Sequence, residues 1–141
     1  MKNWYLAIAI TSAFCVLNET AHAASGQLLC TIKRVEQSSS DRVENDILLL
    51  YRKSFIGKQF TVDKATGVMS GKLTNTSINA PQVIDSGSAS NPYKVINILY
   101  RHQGAGEGSM IYVFVVDEFS KSAEKPFTFY DGYRVHFGTC R

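Results

Sequence analysis

The residues of this chain whose types are suited to chemistry lie around one glycine-rich stretch, residues 104–108. Arg101 and His102 end an apolar run, and Glu107 lies within the stretch itself. A cation, an imidazole and a carboxylate at the two ends of one loop are suited to binding a polar ligand. With Asp117 they would instead form the irregular active site of a small hydrolase, which is the alternative hypothesis. We take Arg101, His102 and Glu107 as the candidate binding residues.

Established catalytic and metal motifs are missing from the sequence. The glycine-rich stretch lies between two predicted strands, whereas a dinucleotide-binding loop needs a helix after it. No Gly-x-Ser-x-Gly elbow is present, and His102 and His136 lack the spacing of metal ligands. The sequence therefore predicts no metal and no cofactor, and it favours a noncatalytic binding module over an enzyme. The predicted partner is a protein or a small molecule of unknown identity.

Residues 1–23 resemble a secretory signal peptide. Lys2 precedes an apolar run over residues 4–17, and Ala21 and Ala23 supply the small side chains that signal peptidase recognises. The run is too short for a transmembrane anchor. We therefore predict a periplasmic or extracellular protein whose residues 24–141 form one domain with no membrane anchor after cleavage.

The charge of the predicted domain is modest. Cleavage would remove one basic and one acidic residue, so the net charge stays at +3. Only two pairs of basic residues are adjacent beyond the signal, at positions 33–34 and 52–53. Because nucleic-acid binding proteins carry a continuous basic stripe, this pattern argues against a nucleic-acid partner.

Two cysteines, Cys30 and Cys140, lie beyond the signal peptide, one near each end of the predicted domain. In an oxidising compartment they are expected to form a disulfide that staples the first strand to the last. The alternative, a redox-active pair, needs a Cys-x-x-Cys spacing that neither residue has.

The pattern of apolar residues and turn signals predicts a β-rich domain, an antiparallel sandwich or barrel of about seven or eight short strands. Residues 110–116 are apolar at every position, which predicts a central strand covered on both faces. Residues 41–53 have helical spacing and a helix-start signal at Asp41, but residues 47–51 also fit a buried strand. The sequence leaves these two alternatives open.

Two hairpins can be predicted with their registers. In the first, Gly67 closes a four-residue loop that pairs Val62 with Met69 and Phe60 with Gly71.

In the second hairpin, a three-residue loop over residues 130–132 would pair Phe129 with Tyr133 and Phe127 with Val135. This register points Phe137 into the core and turns Arg134 and His136 toward solvent.

Overall fold

The computed structural model describes residues 26–37, 46–75, 79–101 and 108–141. They form eight strands and one helix, in the order β1 (Gln27–Gln37), α1 (Asp46–Phe55), β2 (Gln59–Asp63), β3 (Met69–Gly71), β4 (Gln82–Ser86), β5 (Tyr93–Arg101), β6 (Gly108–Val116), β7 (Lys125–Tyr130) and β8 (Arg134–Cys140).

All eight strands belong to one antiparallel sheet in the order β3-β2-β1-β8-β7-β6-β5-β4. The turn between β2 and β3 reaches β5, which is far along the sheet from β2, since the Tyr93 hydroxyl donates to the Lys64 carbonyl at 3.2 Å. Lys64 also pairs with Glu118 at 2.6 Å. Such contacts require the sheet to curl, so the fold is a half-barrel whose concave face holds the core. The β-rich prediction is confirmed, as one curled sheet rather than a two-sheet sandwich.

Helix α1 decides between the two alternatives that the sequence left for residues 41–53. The helix starts at Asp46 and ends at Phe55, while residues 41–45 lie outside the described part of the chain. Gly57 follows with φ of +80°, a left-handed conformation typical of a residue that ends a helix. Arg52 and Lys53 in the last turn complement the negative end of the helix dipole.

The first hairpin has the predicted register. Val62 pairs with Met69 and Phe60 with Gly71, and Gly67 has a φ of +75°. The Asp63 carboxylate accepts hydrogen bonds from the amides of residues 65 and 66, which stabilises the turn.

The predicted register of the second hairpin is wrong. Phe129 pairs with His136 rather than Tyr133, and Phe127 pairs with Gly138 rather than Val135. The loop is a two-residue turn, Gly132-Tyr133, closed by a hydrogen bond from the Asp131 amide to the Arg134 carbonyl. The pairing is displaced by three residues along β8, and an odd displacement exchanges the two faces of a strand.

The shift has consequences on both faces of β8. His136, expected at the surface, is fully buried on the concave face, and Arg134 is only half-exposed. Phe137, expected in the core, lies half-exposed on the convex face beneath the Arg34 guanidinium at 4.1 Å.

The predicted disulfide is present between Cys30 and Cys140, which face each other in the register of β1 and β8. Both cysteines are buried on the concave face. The bond joins the first and last strands of the fold, as expected from the positions of the two residues.

Strand β6 is central, as predicted, because it pairs with β5 on one side and β7 on the other. On its concave face Phe114 and Val116 are buried, and the Phe114 ring contacts the rings of Phe60, Tyr93 and Phe127 at centroid distances of 5.7–6.4 Å. The convex face differs from the prediction, because a single curled sheet provides no second layer there. Ile111 on that face is 44 % exposed.

Candidate binding surface at the helix end of the half-barrel

The strand pairing gives the position of one of the three predicted binding residues. Arg101 ends β5 opposite Gly108, the first residue of β6. His102 and Glu107 lie outside the described residues. The connection that carries them therefore starts and ends at one rim of the sheet, the same rim where β1 ends and β8 begins. We call this rim the helix end, because α1 packs there.

Asp117 cannot join Arg101 in one site, which corrects the alternative active-site hypothesis. Asp117 follows the last residue of β6, whereas Arg101 pairs with its first residue. A strand rises about 3.3 Å per residue, so the nine residues of β6 separate the two positions by roughly 30 Å.

Helix α1 packs one of its faces against the sheet at the helix end. Leu48, Tyr51, Arg52 and Phe55 follow the spacing i, i+3, i+4, i+7 and are buried or half-buried. The rings of Tyr51 and Phe55 stack at 4.1 Å. Arg52 fixes the helix to β1, since its Nε donates to the Val35 carbonyl at 3.0 Å and its Nη2 pairs with Glu36 at 2.9 Å.

Beneath the helix lies a buried imidazole–carboxylate pair. His136 Nε2 is 3.1 Å from Asp131 Oδ2, and the imidazole packs against the rings of Phe129, Tyr51 and Phe55 at centroid distances of 5.5–5.9 Å. His136 Nδ1 is buried and has no hydrogen-bond partner among the described residues. A catalytic imidazole needs one nitrogen open to substrate, and this side chain is fully enclosed. The pair therefore serves to hold the β7–β8 turn under the helix.

The charge state of Asp131 results from two opposing effects. Burial favours its neutral form, but hydrogen bonds from His136 and from the amides of Tyr133 and Arg134 outweigh burial and lower the pKa of the carboxyl. Ionised Asp131 then accepts a hydrogen bond from Nε2–H of His136, which leaves Nδ1 as the nitrogen without a partner among the described residues.

Arg134 covers the neighbouring phenol ring. Its guanidinium carbon is 3.7 Å from the centroid of the Tyr51 ring. Burial raises the pKa of the Tyr51 hydroxyl to about 12, with Asp131 adding to the effect and Arg134 opposing it. Tyr51 is therefore neutral at physiological pH and acts as a packing residue with a polar tip.

Asp131→Asn is expected to destabilise the protein at neutral pH by about 1.5 kcal/mol, the value of a hydrogen bond to a charged group. Because the pKa of Asp131 is lowered in the folded state, its contribution is present above about pH 4 and is lost as the pH falls through the folded value. Urea unfolding should therefore show a smaller difference between variant and wild type at pH 3 than at pH 7.

Asp63→Asn is the matched control, because Asp63 also caps a hairpin turn but has no buried imidazole partner. Each variant removes part of the pH dependence of the free energy of unfolding. The amount by which the loss in Asp131→Asn exceeds the loss in Asp63→Asn measures the contribution of the Asp131–His136 pair. Equal effects of the two variants would contradict this account.

The opposite face of α1 presents large aliphatic side chains to solvent. Ile47 is 68 % exposed, Leu50 66 % and Leu49 43 %, and Ile56 just after the helix is 45 % exposed. By helical spacing, Lys53 lies between Leu49 and Leu50 on this face. Isolated exposed aliphatic residues are common on protein surfaces, but four on and beside one short helix form a patch typical of an interaction surface.

Four cations lie on α1 or beside it. Lys53 and Lys58 are exposed, Lys72 Nζ lies 4.2 Å from the centroid of the Phe55 ring, and Arg134 covers Tyr51. None of these four cations forms a salt bridge with a carboxylate of the described residues. The nearby carboxylates Glu36 and Asp131 are already paired, with Arg52 and His136 respectively. The helix end therefore combines exposed aliphatic side chains with cations that no described carboxylate neutralises.

We call this surface the α1 patch and define it by Ile47, Leu49, Leu50, Lys53 and Ile56. Sequence reasoning missed it, because it treated the helical spacing of residues 41–53 only as a question of secondary structure. The signal was present: Ile47, Leu48, Leu49 and Leu50 are four consecutive apolar residues, and one face of a surface helix cannot bury all of them.

The helix end has no features of a metal site or of a membrane span within the described residues. In residues 26–37, 46–75, 79–101 and 108–141, no three His, Cys, Asp or Glu side chains lie close enough together to hold a metal ion. No helix in this part of the chain combines the length and the hydropathy that a transmembrane span requires. Comparisons of the chain with models of protein families, with curated proteins and with solved structures gave no match.

Proposed function

We propose that this protein is an exported, noncatalytic binding module that contacts its partner through the helix end of the half-barrel. The α1 patch is the main support for this proposal. One face of the helix packs against the concave face of the half-barrel, whereas Ile47 and Leu50 on the other face are about two-thirds exposed. Leaving such side chains in water is unfavourable, by about 25 cal/mol for each Å² of apolar surface. A partner that covers them would recover this free energy.

The proposed binding surface also includes the connection between β5 and β6. Arg101 and Gly108 bring its two ends to the same rim as α1. We therefore retain Arg101, His102 and Glu107 as binding residues of the module. Residues on connections at one end of a rigid scaffold are the usual place for binding functions.

Export is the second part of the proposal. The signal-like residues 1–23 support it, and so does a disulfide, which persists in oxidising compartments and is rare in the cytosol. A periplasmic or extracellular location follows. The mass of protein recovered from the exported fraction should equal that of residues 24–141 with one disulfide.

The experiment that tests the binding role compares three proteins immobilised and exposed to the envelope and secreted material of the expressing cell. The wild type and Ile84→Gln should retain the same component, and the double variant Ile47→Gln/Leu50→Gln should lose it. Ile84 is the matched control because it is 60 % exposed but lies on β4, away from the helix. Glutamine is a good helix former, so the double variant is expected to keep its fold.

Two results would refute the proposal. Retention that is equal for all three proteins would show that the α1 patch is not the binding surface. A turnover activity lost in His102→Ala or Glu107→Ala would show that the protein is an enzyme of the kind considered as the alternative.

A further inference from the structure

We infer that the surface recognised by the α1 patch is the anionic face of a lipid bilayer. This inference rests on the proposed function and specifies its partner. The mode of binding would be interfacial, with the helix lying in the plane of the headgroups and its outward side chains reaching the boundary of the acyl chains. At 1.5 Å per residue, ten residues span about 15 Å, half the thickness of the hydrocarbon core.

The composition of the patch favours a bilayer over a protein. Cores of protein interfaces are enriched in aromatic residues and arginine and depleted in lysine. Among the described side chains, the outward face of α1 carries the aliphatic Ile47, Leu49 and Leu50. Lys53 lies between Leu49 and Leu50 by helical spacing, and Ser54 is the other exposed polar residue of this face. A lysine in this position can lay its methylene stem along the leucines and extend its ammonium to a phosphate, as lysines do at membrane interfaces.

The charges beside the patch match the same partner. Lys53 and Lys58 are exposed, whereas Lys72 and Arg134 lie over the rings of Phe55 and Tyr51. None of the four pairs with a carboxylate of the described residues, and a lipid phosphate would supply the missing anion. Each cation near an anionic membrane surface contributes roughly 1 kcal/mol, which corresponds to about fivefold in affinity. A zwitterionic surface lacks the net negative charge that attracts them.

Tyr133 provides a third, independent feature. It lies in the β7–β8 turn at the same rim, next to Arg134, and its side chain is 56 % exposed. Tyrosine is enriched at the depth of the headgroups, where its ring is in contact with chains and its hydroxyl with water. The helix and the turn together offer aliphatic, aromatic and cationic groups at one end of a rigid scaffold.

A fluorescence experiment tests the inference directly, since the only tryptophan of the sequence is Trp4, within the predicted signal peptide. The processed chain carrying Leu50→Trp would hold a single fluorophore on the patch, and one carrying Ile84→Trp a single fluorophore on β4. Vesicles of phosphatidylcholine containing about one-third phosphatidylglycerol should shift the Leu50→Trp emission to the blue and leave the Ile84→Trp emission unchanged. Vesicles of phosphatidylcholine alone should shift neither.

Co-sedimentation with the same vesicles supplies the second measurement. Lys53→Glu removes two units of charge and should weaken binding about 25-fold, whereas Lys121→Glu should have little effect. Lys121 is an exposed lysine between β6 and β7, at the opposite end of the half-barrel. Ile47→Gln/Leu50→Gln should weaken binding at least tenfold, and raised salt should weaken the binding of the wild type.

The outcomes separate this inference from the proposed function. If the vesicles leave the Leu50→Trp emission unchanged, or shift both probes equally, the lipid inference is wrong. If the exported material is nevertheless retained only by proteins with an intact patch, the binding function holds and the partner is not an anionic bilayer. If neither vesicles nor exported material depend on the patch, both are wrong.

Discussion

Removing the Cys30–Cys140 disulfide is expected to lower the free energy of unfolding by about 4–5 kcal/mol. The bond joins residues separated by 110 positions, so it closes nearly the whole described fold into one loop. The chain-entropy description assigns about 4.7 kcal/mol to a loop of roughly 100 residues, because the cross-link restricts the unfolded chain. Domains of this size are typically stable by about 5–15 kcal/mol. The reduced protein should therefore be close to marginal stability.

Urea unfolding of the oxidised wild type, the reduced wild type and Cys30→Ala/Cys140→Ala measures this contribution. Reduced wild type keeps every side-chain atom in the core, so its loss reports the cross-link itself. The double alanine variant should lose slightly more, since both cysteines are buried and the shorter side chains leave space. A loss below about 1 kcal/mol in the reduced wild type would show that pairing of β1 with β8 alone holds the ends together.

The disulfide also bears on the proposed location of the protein. A domain that depends on this bond for a large part of its stability would fold poorly in a reducing compartment. This dependence agrees with the proposed export. It also means that the helix end and the staple have separate roles, because Cys30 and Cys140 lie near the start of β1 and at the end of β8, away from α1.

Much of the fold follows from local signals in the sequence. The first hairpin was predictable in register because Asp63 and Gly67 specify the turn and the alternation of Phe60 and Val62 specifies the face. The disulfide was predictable because the predicted signal cleavage would leave two cysteines in the proposed domain. A few neighbouring residues are enough to predict the hairpin register, and the number of cysteines is enough to predict the disulfide.

The second hairpin shows what was missed and why. Assigning Arg134 and His136 to solvent because they are polar gave the wrong face. The predicted disulfide could have corrected this assignment, because Cys140 must face inward to reach Cys30. Residues two and four positions earlier on the same strand lie on the same face as Cys140. His136 then faces the core with Cys140. Combining a long-range constraint with strand alternation would have given the observed register.

The candidate site was harder to predict, since it depends on how separate elements come together. His136, Asp131, Tyr51 and Arg134 come from a strand, a turn and a helix, and no spacing in the sequence links the helix to the turn. The apolar excess of residues 47–50 was visible, but its exposure depends on which helix face the curled sheet covers. Tertiary packing determines that choice, and local periodicity does not.

Phe114→Ala is expected to be the most damaging single substitution of an aromatic residue, with a loss of about 3–5 kcal/mol. Phe114 is only 1 % exposed, and its ring contacts Phe60, Tyr93, Phe127 and Phe129. These rings belong to β2, β5 and β7, so the removed side chain joins three strands on the concave face. Its loss leaves a cavity that surrounding β-strands, fixed by their ladders, fill only in part.

Phe119→Ala is the matched control, because Phe119 follows the same strand but is 48 % exposed. It removes the same atoms and should cost no more than about 0.5 kcal/mol. Urea unfolding of both variants, with the disulfide intact, compares the cost of the same Phe→Ala substitution in the core and at the surface. A loss of less than about 1 kcal/mol in Phe114→Ala would show that the rings on the concave face do not form a close-packed core. The half-barrel would then not be the rigid scaffold that the proposed binding through the α1 patch requires.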